Sequence, residues 1–250
     1  MSPTPPSSAD LLAFTDVASA VAGGTRPHAP LYAADLYRDI HKGIRAELFG
    51  LTMAAGSLAP DDDTGRAALA AHLAAVETLL TQHAGHEEDH VDPVLRDVAP
   101  DLAEEVDAEH AQLHHAFHAA AAFAAEIVHE EASERRGELQ LLYLQLSGFT
   151  SAYLQHQLVE ERIIMPLILE SIGPDATMAL MMTIIGSIPP EQMADGLVFM
   201  LPAMNAPDRA EMLGGMAASA PPEAFQGVLG LARTVLSPDQ YERTEALLPR

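Results

Sequence analysis

Histidine and glutamate recur at four-residue intervals along this chain of 250 residues. His83 is followed by Glu87, His110 by His114 and His156 by Glu160, with a single His41 upstream. Side chains four apart on a helix lie about 40° apart around its axis and one turn along it, so each pair can address one point. Imidazole and carboxylate aimed inward from several helices make a metal site in a bundle core, and this donor mix suits iron, manganese or zinc. Two octahedral ions sharing two carboxylates and one solvent oxygen have six further positions between them. The five histidines fill five and leave one for a small ligand.

Several nearby residues have two readings. His90 shares a face with His83 and His86 lies at its edge, as supporting groups or replacement ligands. His118 extends the His110/His114 stripe by one turn and could orient a ligand. Tyr37, one turn before His41, is either a packed aromatic or a ligand or redox group. His72 and His115 read as surface residues, and His28 and His129 as peripheral. A carboxylate-rich site of the Glu-x-x-His kind has two matches, Glu87 with His90 and Glu126 with His129. The second falls 16 residues beyond His110, about 24 Å further along its helix, so the two cannot meet at one level.

The elements that must carry these residues are long helices. Periodicity predicts them over Leu31–Leu58, Thr64–Asp97 with a disturbance near Pro93, Asp101 to about His129, and Ser133–Ser171 with a bend near Pro166. SLAPDDDTG, DVAPD and HEEASERRG separate them, and Gly173-Pro174 ends the last. Short connections predict an all-α, up-down-up-down four-helix bundle, in which the four sets of donors fall within about a turn of one height. Residues 1–30 read as an arm with a short amphipathic piece at Ala9–Val21, residues 31–173 as the bundle, and residues 174–250 as a Met-rich extension of short helices. Within the extension PPEQMADGLVFML at 189–201 and PPEAFQGVLGLAR at 221–233 form a weak duplication.

Composition agrees with this reading. The chain is 48% apolar and carries a net charge of −23 from 36 acids and 13 bases, so nucleic acid is not an expected partner. With no cysteine, thiolate zinc sites and iron–sulfur clusters are excluded. The N-terminus lacks a basic segment followed by an apolar run, and Ala176–Ile188 is shorter than the roughly 20 residues a bilayer needs. A cytoplasmic protein without membrane contact is the expectation. No Gly-rich phosphate loop or GxSxG pattern is present.

IHKGIR around His41, HAGHEEDHVDPVL from His83, EHAQLHHAF from Glu109 and HQLVEERIIMP from His156 together resemble the hemerythrin-like, HHE cation-binding family. The resemblance covers roughly residues 31–172. It implies a centre of two iron ions, with His110, His114 and His156 on one, and His41 and His83 on the other. Glu87 and Glu160 would bridge them, with an oxo or hydroxo group as the third bridge. The hemerythrins proper have one more residue before the last carboxylate, which here falls on Glu161. Five residues turn a helical side chain about 140° away from His156, so Glu160 is the preferred bridge and Glu161 the alternative. The implied function is binding, sensing or reaction of dioxygen or peroxide. An oxygenase or oxidase acting on a small organic substrate, with the C-terminal helices shaping its pocket, is the second expectation. An iron- or oxygen-responsive interaction module is the third. A homodimer is allowed by the sequence.

Overall fold

The computed structural model describes residues 22–23, 29–128 and 135–248. The expected helix at Ala9–Val21, together with His28 and His129, lies outside them. The described residues contain helices and no strand.

Helix α1 spans Arg38–Ser57. It starts seven residues later than periodicity predicts because the Asp35 carboxylate accepts the backbone N–H groups of Tyr37 (3.2 Å) and Arg38 (3.0 Å), closing a turn ahead of it. Helix α2, Asp63–His86, is capped by Asp62, which accepts the Gly65 N–H at 2.8 Å. A Cβ on Gly65 would fall 2.5 Å from that carboxylate, so any larger residue would make the Asp62 side chain shift. A π-helical turn at Glu87–Val91 joins α2 to α3, Asp92–Val98. Helix α4 runs Pro100–Ile127. Helix α5, Arg135–Val159, passes through a second π turn at Glu160–Ile164 into α6, Met165–Ile172. Gly173, at φ 81°, ends α6 in a backbone region that side chains disfavour.

The two π turns share a cause. Pro93 and Pro166 have no N–H to give, and their rings would strike the carbonyl four residues back. The ladder widens instead: Asp92 N–H donates to the Glu87 carbonyl and Met165 N–H to the Glu160 carbonyl, each five residues back.

The long helices pack in the ring α1–α2–α4–α5 and back to α1. Cross-helix pairs show neighbours running antiparallel. His41 meets His83 and Glu47 meets His72; Glu77 meets His118; Phe117 meets Phe149; Thr52 meets Thr150. Two apolar cores result. One, around Ile44, Leu48, Leu73, Val76, Leu142 and Leu146, fills the bundle away from the π turns. The other, around Tyr37, Leu95, Val106, Ile164 and Ile168, fills the end formed by α3 and α6. Six of the seven predicted donors lie in a polar layer between them.

Residues 174–248 add α7 (Pro174–Ser187), α8 (Pro190–Ala203), α9 (Ala206–Ser219), α10 (Pro222–Val235) and α11 (Pro238–Glu245), each opened by a proline in its first turn. The two copies of the sequence duplication fall on α8 and α10, which are equal in length and pack together, and α9 packs on α11. Leu197, Leu201, Leu213, Ala232 and Leu236 form their core. Buried Arg209 ties this unit, donating to the carbonyls of Leu201 (3.1 Å) and Met204 (2.5 Å) and to Thr244 Oγ1 (2.8 Å). Helix α8 docks on α1, where a Cβ on Gly43 would come within 3.3 Å of the Met200 backbone. Arg38 with Glu211 (3.2 Å) and Lys42 with Asp208 add ion pairs between α1 and α9. Among the described residues no single helix is long and apolar enough to cross a membrane.

Candidate metal centre

Six side chains from the four long helices and their π turns converge in the layer between the two bundle cores: His41, His83, Glu87, His110, His156 and Glu160, all buried. They form two groups of four. His41, His83, Glu87 and Glu160 make one; Glu87, His110, His156 and Glu160 make the other. Within each group the ligating atoms lie within 4.8 Å of one another. Both groups contain the same two carboxylates. Glu87 approaches His83 Nε2 with one oxygen (3.2 Å) and His110 Nε2 with the other (3.3 Å). Glu160 likewise spans His156 Nε2 (3.0 Å) and His41 Nε2 (3.3 Å).

These contacts are not ordinary hydrogen bonds. Both Glu87 carboxylate oxygens and Glu160 Oε2 are buried with no hydrogen-bond partner. Leaving such atoms unpaired in a protein interior is costly. A cation between the carboxylates and the Nε2 atoms satisfies all of them together, so the donor set fits the metal that the sequence implies. Each carboxylate residue opens a π turn, which re-aims the chain beyond it without disturbing its four-residue spacing to the preceding histidine.

Two imidazoles are oriented from behind. His41 Nδ1 lies 2.9 Å from Glu161, which also accepts from Arg45 Nη1 (2.6 Å) and Nη2 (3.0 Å). His156 Nδ1 lies 3.0 Å from Glu109. A proton on each Nδ1, donated to its carboxylate, leaves the Nε2 lone pair free for a metal. Burial opposes ionisation of Glu161, but His41 and Arg45 outweigh it and hold the carboxyl below its usual range.

The metal-free centre holds protons in place of cations. Burial, then the neighbouring Glu160, pushes Glu87 up to about 7. Burial works against Glu160 too, yet His156 and His110 hold it well below the ordinary carboxylate range. Burial lowers His110 and His156, but the pull of the neighbouring Glu160, Glu87 and Glu109 carboxylates prevails and raises them to about 10 and about 9. His83, buried beside His41, is pushed well below its usual value and stays neutral.

His114 is the correction. It stands exposed on α4 with its ring stacked on that of His118 at 6.4 Å, outside both donor groups. The buried stripe of α4 runs through Ala103, Val106, His110 and Phe117, with Leu113 between. One turn beyond His110, the inward position is therefore 113 and not 114. His118 is also exposed and pairs with Glu77 at 2.7 Å, so it orients no ligand. His90, half-buried, contacts Ser187 Oγ at 3.1 Å and joins neither donor group. His86 is half-buried beside it. Tyr37 is buried against His41, ring centroids 5.2 Å apart, and burial raises its hydroxyl well above the usual value. Glu161 supports His41 and is not in either donor group. Asp92, buried and raised to about 6 by burial and a hydrogen bond with Asp107, had no role in the sequence reading. The supporting parts played by Glu109 and Arg45 were also missed there.

Residues 33–168 match the family model described as the hemerythrin HHE cation binding domain. No curated protein and no solved structure matches the chain.

Proposed function

Since the chain belongs to the hemerythrin HHE cation-binding family, we propose that its centre holds two iron ions and binds or reacts with dioxygen or peroxide. The observation that carries this reading is the sharing of Glu87 and Glu160 between two four-donor groups, with carboxylate oxygens that lack any other partner. An iron pair held there supplies reversible exchange of electrons with dioxygen or peroxide.

The chain's own residues do the rest. His41 and His83 would face one ion, His110 and His156 the other, and the two glutamates both. Glu161 and Glu109 keep the Nδ1 protons of His41 and His156 in place and hold the rings in orientation. The apolar cores on either side of the layer exclude bulk water. Four imidazoles instead of the five expected leave more positions for small exogenous ligands. That favours reaction with dioxygen or peroxide over simple carriage.

The test is metal analysis of full-length protein purified without added metal, followed by oxygen and peroxide assays. About two irons per chain, near-ultraviolet charge-transfer absorption and a spectral response to dioxygen or peroxide are expected. Stoichiometric zinc, or one ion per chain, overturns the reading.

A further inference from the structure

A cavity of about 360 Å³ lies between the bundle and the C-terminal extension. One wall comes from the segment before α1, the start of α1, α2 and the first π turn; the other comes from α7, α8 and α9. Its size falls at the lower end of the range of small-molecule sites, roughly 300–1,000 Å³. His83 and Glu87, both members of a donor group, form part of its lining. Whatever enters it lies beside the metal centre.

The chemistry of the walls defines the occupant. Of the chain's 11 methionines, six line this one cavity: Met181, Met182, Met193, Met200, Met212 and Met216. Unbranched, polarizable thioethers adapt to varied apolar shapes and make favourable contacts with aromatic rings. The charged groups do not suit an ionic ligand. Arg38 is engaged by Asp39 (2.9 Å) and Glu211 (3.2 Å), so it is no free receptor for an anion. Asp35, Asp39 and Glu211 leave the lining with acidic excess. Tyr37, Gln82 and Gln192 provide neutral polar groups.

We propose that this cavity takes a neutral, largely apolar organic molecule and holds it against the His83–Glu87 edge of the metal centre. The proposal rests on the iron-centre reading for what the molecule meets, and on the cavity alone for its binding. Two wall glycines provide the means to test it. A Cβ on Gly215 meets nothing within 4 Å, and one on Gly196 meets only the Met200 methyl at 3.8 Å. Leucine at either position adds bulk to the cavity wall and also suits a helix better than glycine.

The experiment uses full-length protein, with metal content measured on the same sample, and the neutral fluorophore N-phenyl-1-naphthylamine as probe. Wild type should bind one equivalent saturably. Gly196→Leu and Gly215→Leu should each weaken binding at least tenfold with metal content unchanged. Saturating cyclohexylbenzene should displace the probe and shift the near-ultraviolet absorption of the iron-loaded protein. Unchanged probe affinity in both variants overturns the proposal, even if iron is present. Lost affinity in both variants supports the cavity, even if metal analysis disproves the iron pair.

Discussion

At the scale of single residues, the centre depends on buried carboxylate oxygens that no hydrogen bond satisfies. Glu87→Gln and Glu160→Gln each remove a charge shared by both donor groups. Each should lose most of the bound metal by elemental analysis while retaining helical circular dichroism. His110→Ala should do the same. His114→Ala should keep wild-type metal content, because His114 is exposed and outside both groups. Glu161→Gln removes the carboxylate that accepts from His41 Nδ1, and should weaken metal affinity by about 10–100-fold in competition with a chelator. Of the seven ligands that sequence spacing predicted, the structure brings six together, because a four-residue step keeps a histidine and a glutamate on one face. It failed at His114 because two positions, 113 and 114, lie about one turn beyond His110, and the apolar stripe of α4 selects Leu113. Glu109 and Arg45 were illegible for a different reason. Each reaches toward a group on a neighbouring helix, so only packing reveals it.

At the scale of elements, the periodic segments and their breaks were readable, and their ends less so. Local side-chain turns set the ends: Asp35 delays α1 and Asp62 starts α2. Pro93 and Pro166 announced a disturbance but not its form. Whether a helix kinks, ends or widens after a proline depends on what the neighbouring helices require of the residues beyond it. Here widening keeps the chain helical into α3 and α6 and lets Val91, Leu95, Ile164 and Ile168 enter the second core. The contact of α8 with α1 is equally specific. Gly43 sits within the IHKGIR stretch, yet its small size serves the Met200 backbone and not the metal. Gly43→Val should overpack this contact and cost about 1–3 kcal/mol. A lower thermal midpoint and faster proteolysis of the extension, with metal still bound, are the expected readouts.

For the whole molecule, metal and pH oppose one another. Glu87 at about 7, His110 at about 10 and His156 at about 9 bind protons more tightly in the metal-free fold than in the unfolded chain. Their stabilisation is fully present below the unfolded values and is lost as pH rises through the folded ones. The windows are 4.5 to about 7 for Glu87, and 6.5 to about 10 and about 9 for His110 and His156. Glu160, shifted the other way, contributes above its ordinary value and loses that contribution as pH falls. The metal-free melting temperature should therefore decline between neutral and mildly alkaline pH. The rise produced by metal should grow over the same interval, because cations displace protons from the same atoms. Thermal unfolding across this range, with and without metal, checks both signs. The polar layer has one more consequence. It divides the apolar interior of the bundle into two slabs joined mainly through the ligating side chains. When the ions are stripped, the molecule should cease to open as a single cooperative unit. Amide deuteration should then run ahead in α3 and α6 while the slab around Leu48 and Leu146 stays protected, so exchange at that far end becomes a gauge of occupancy.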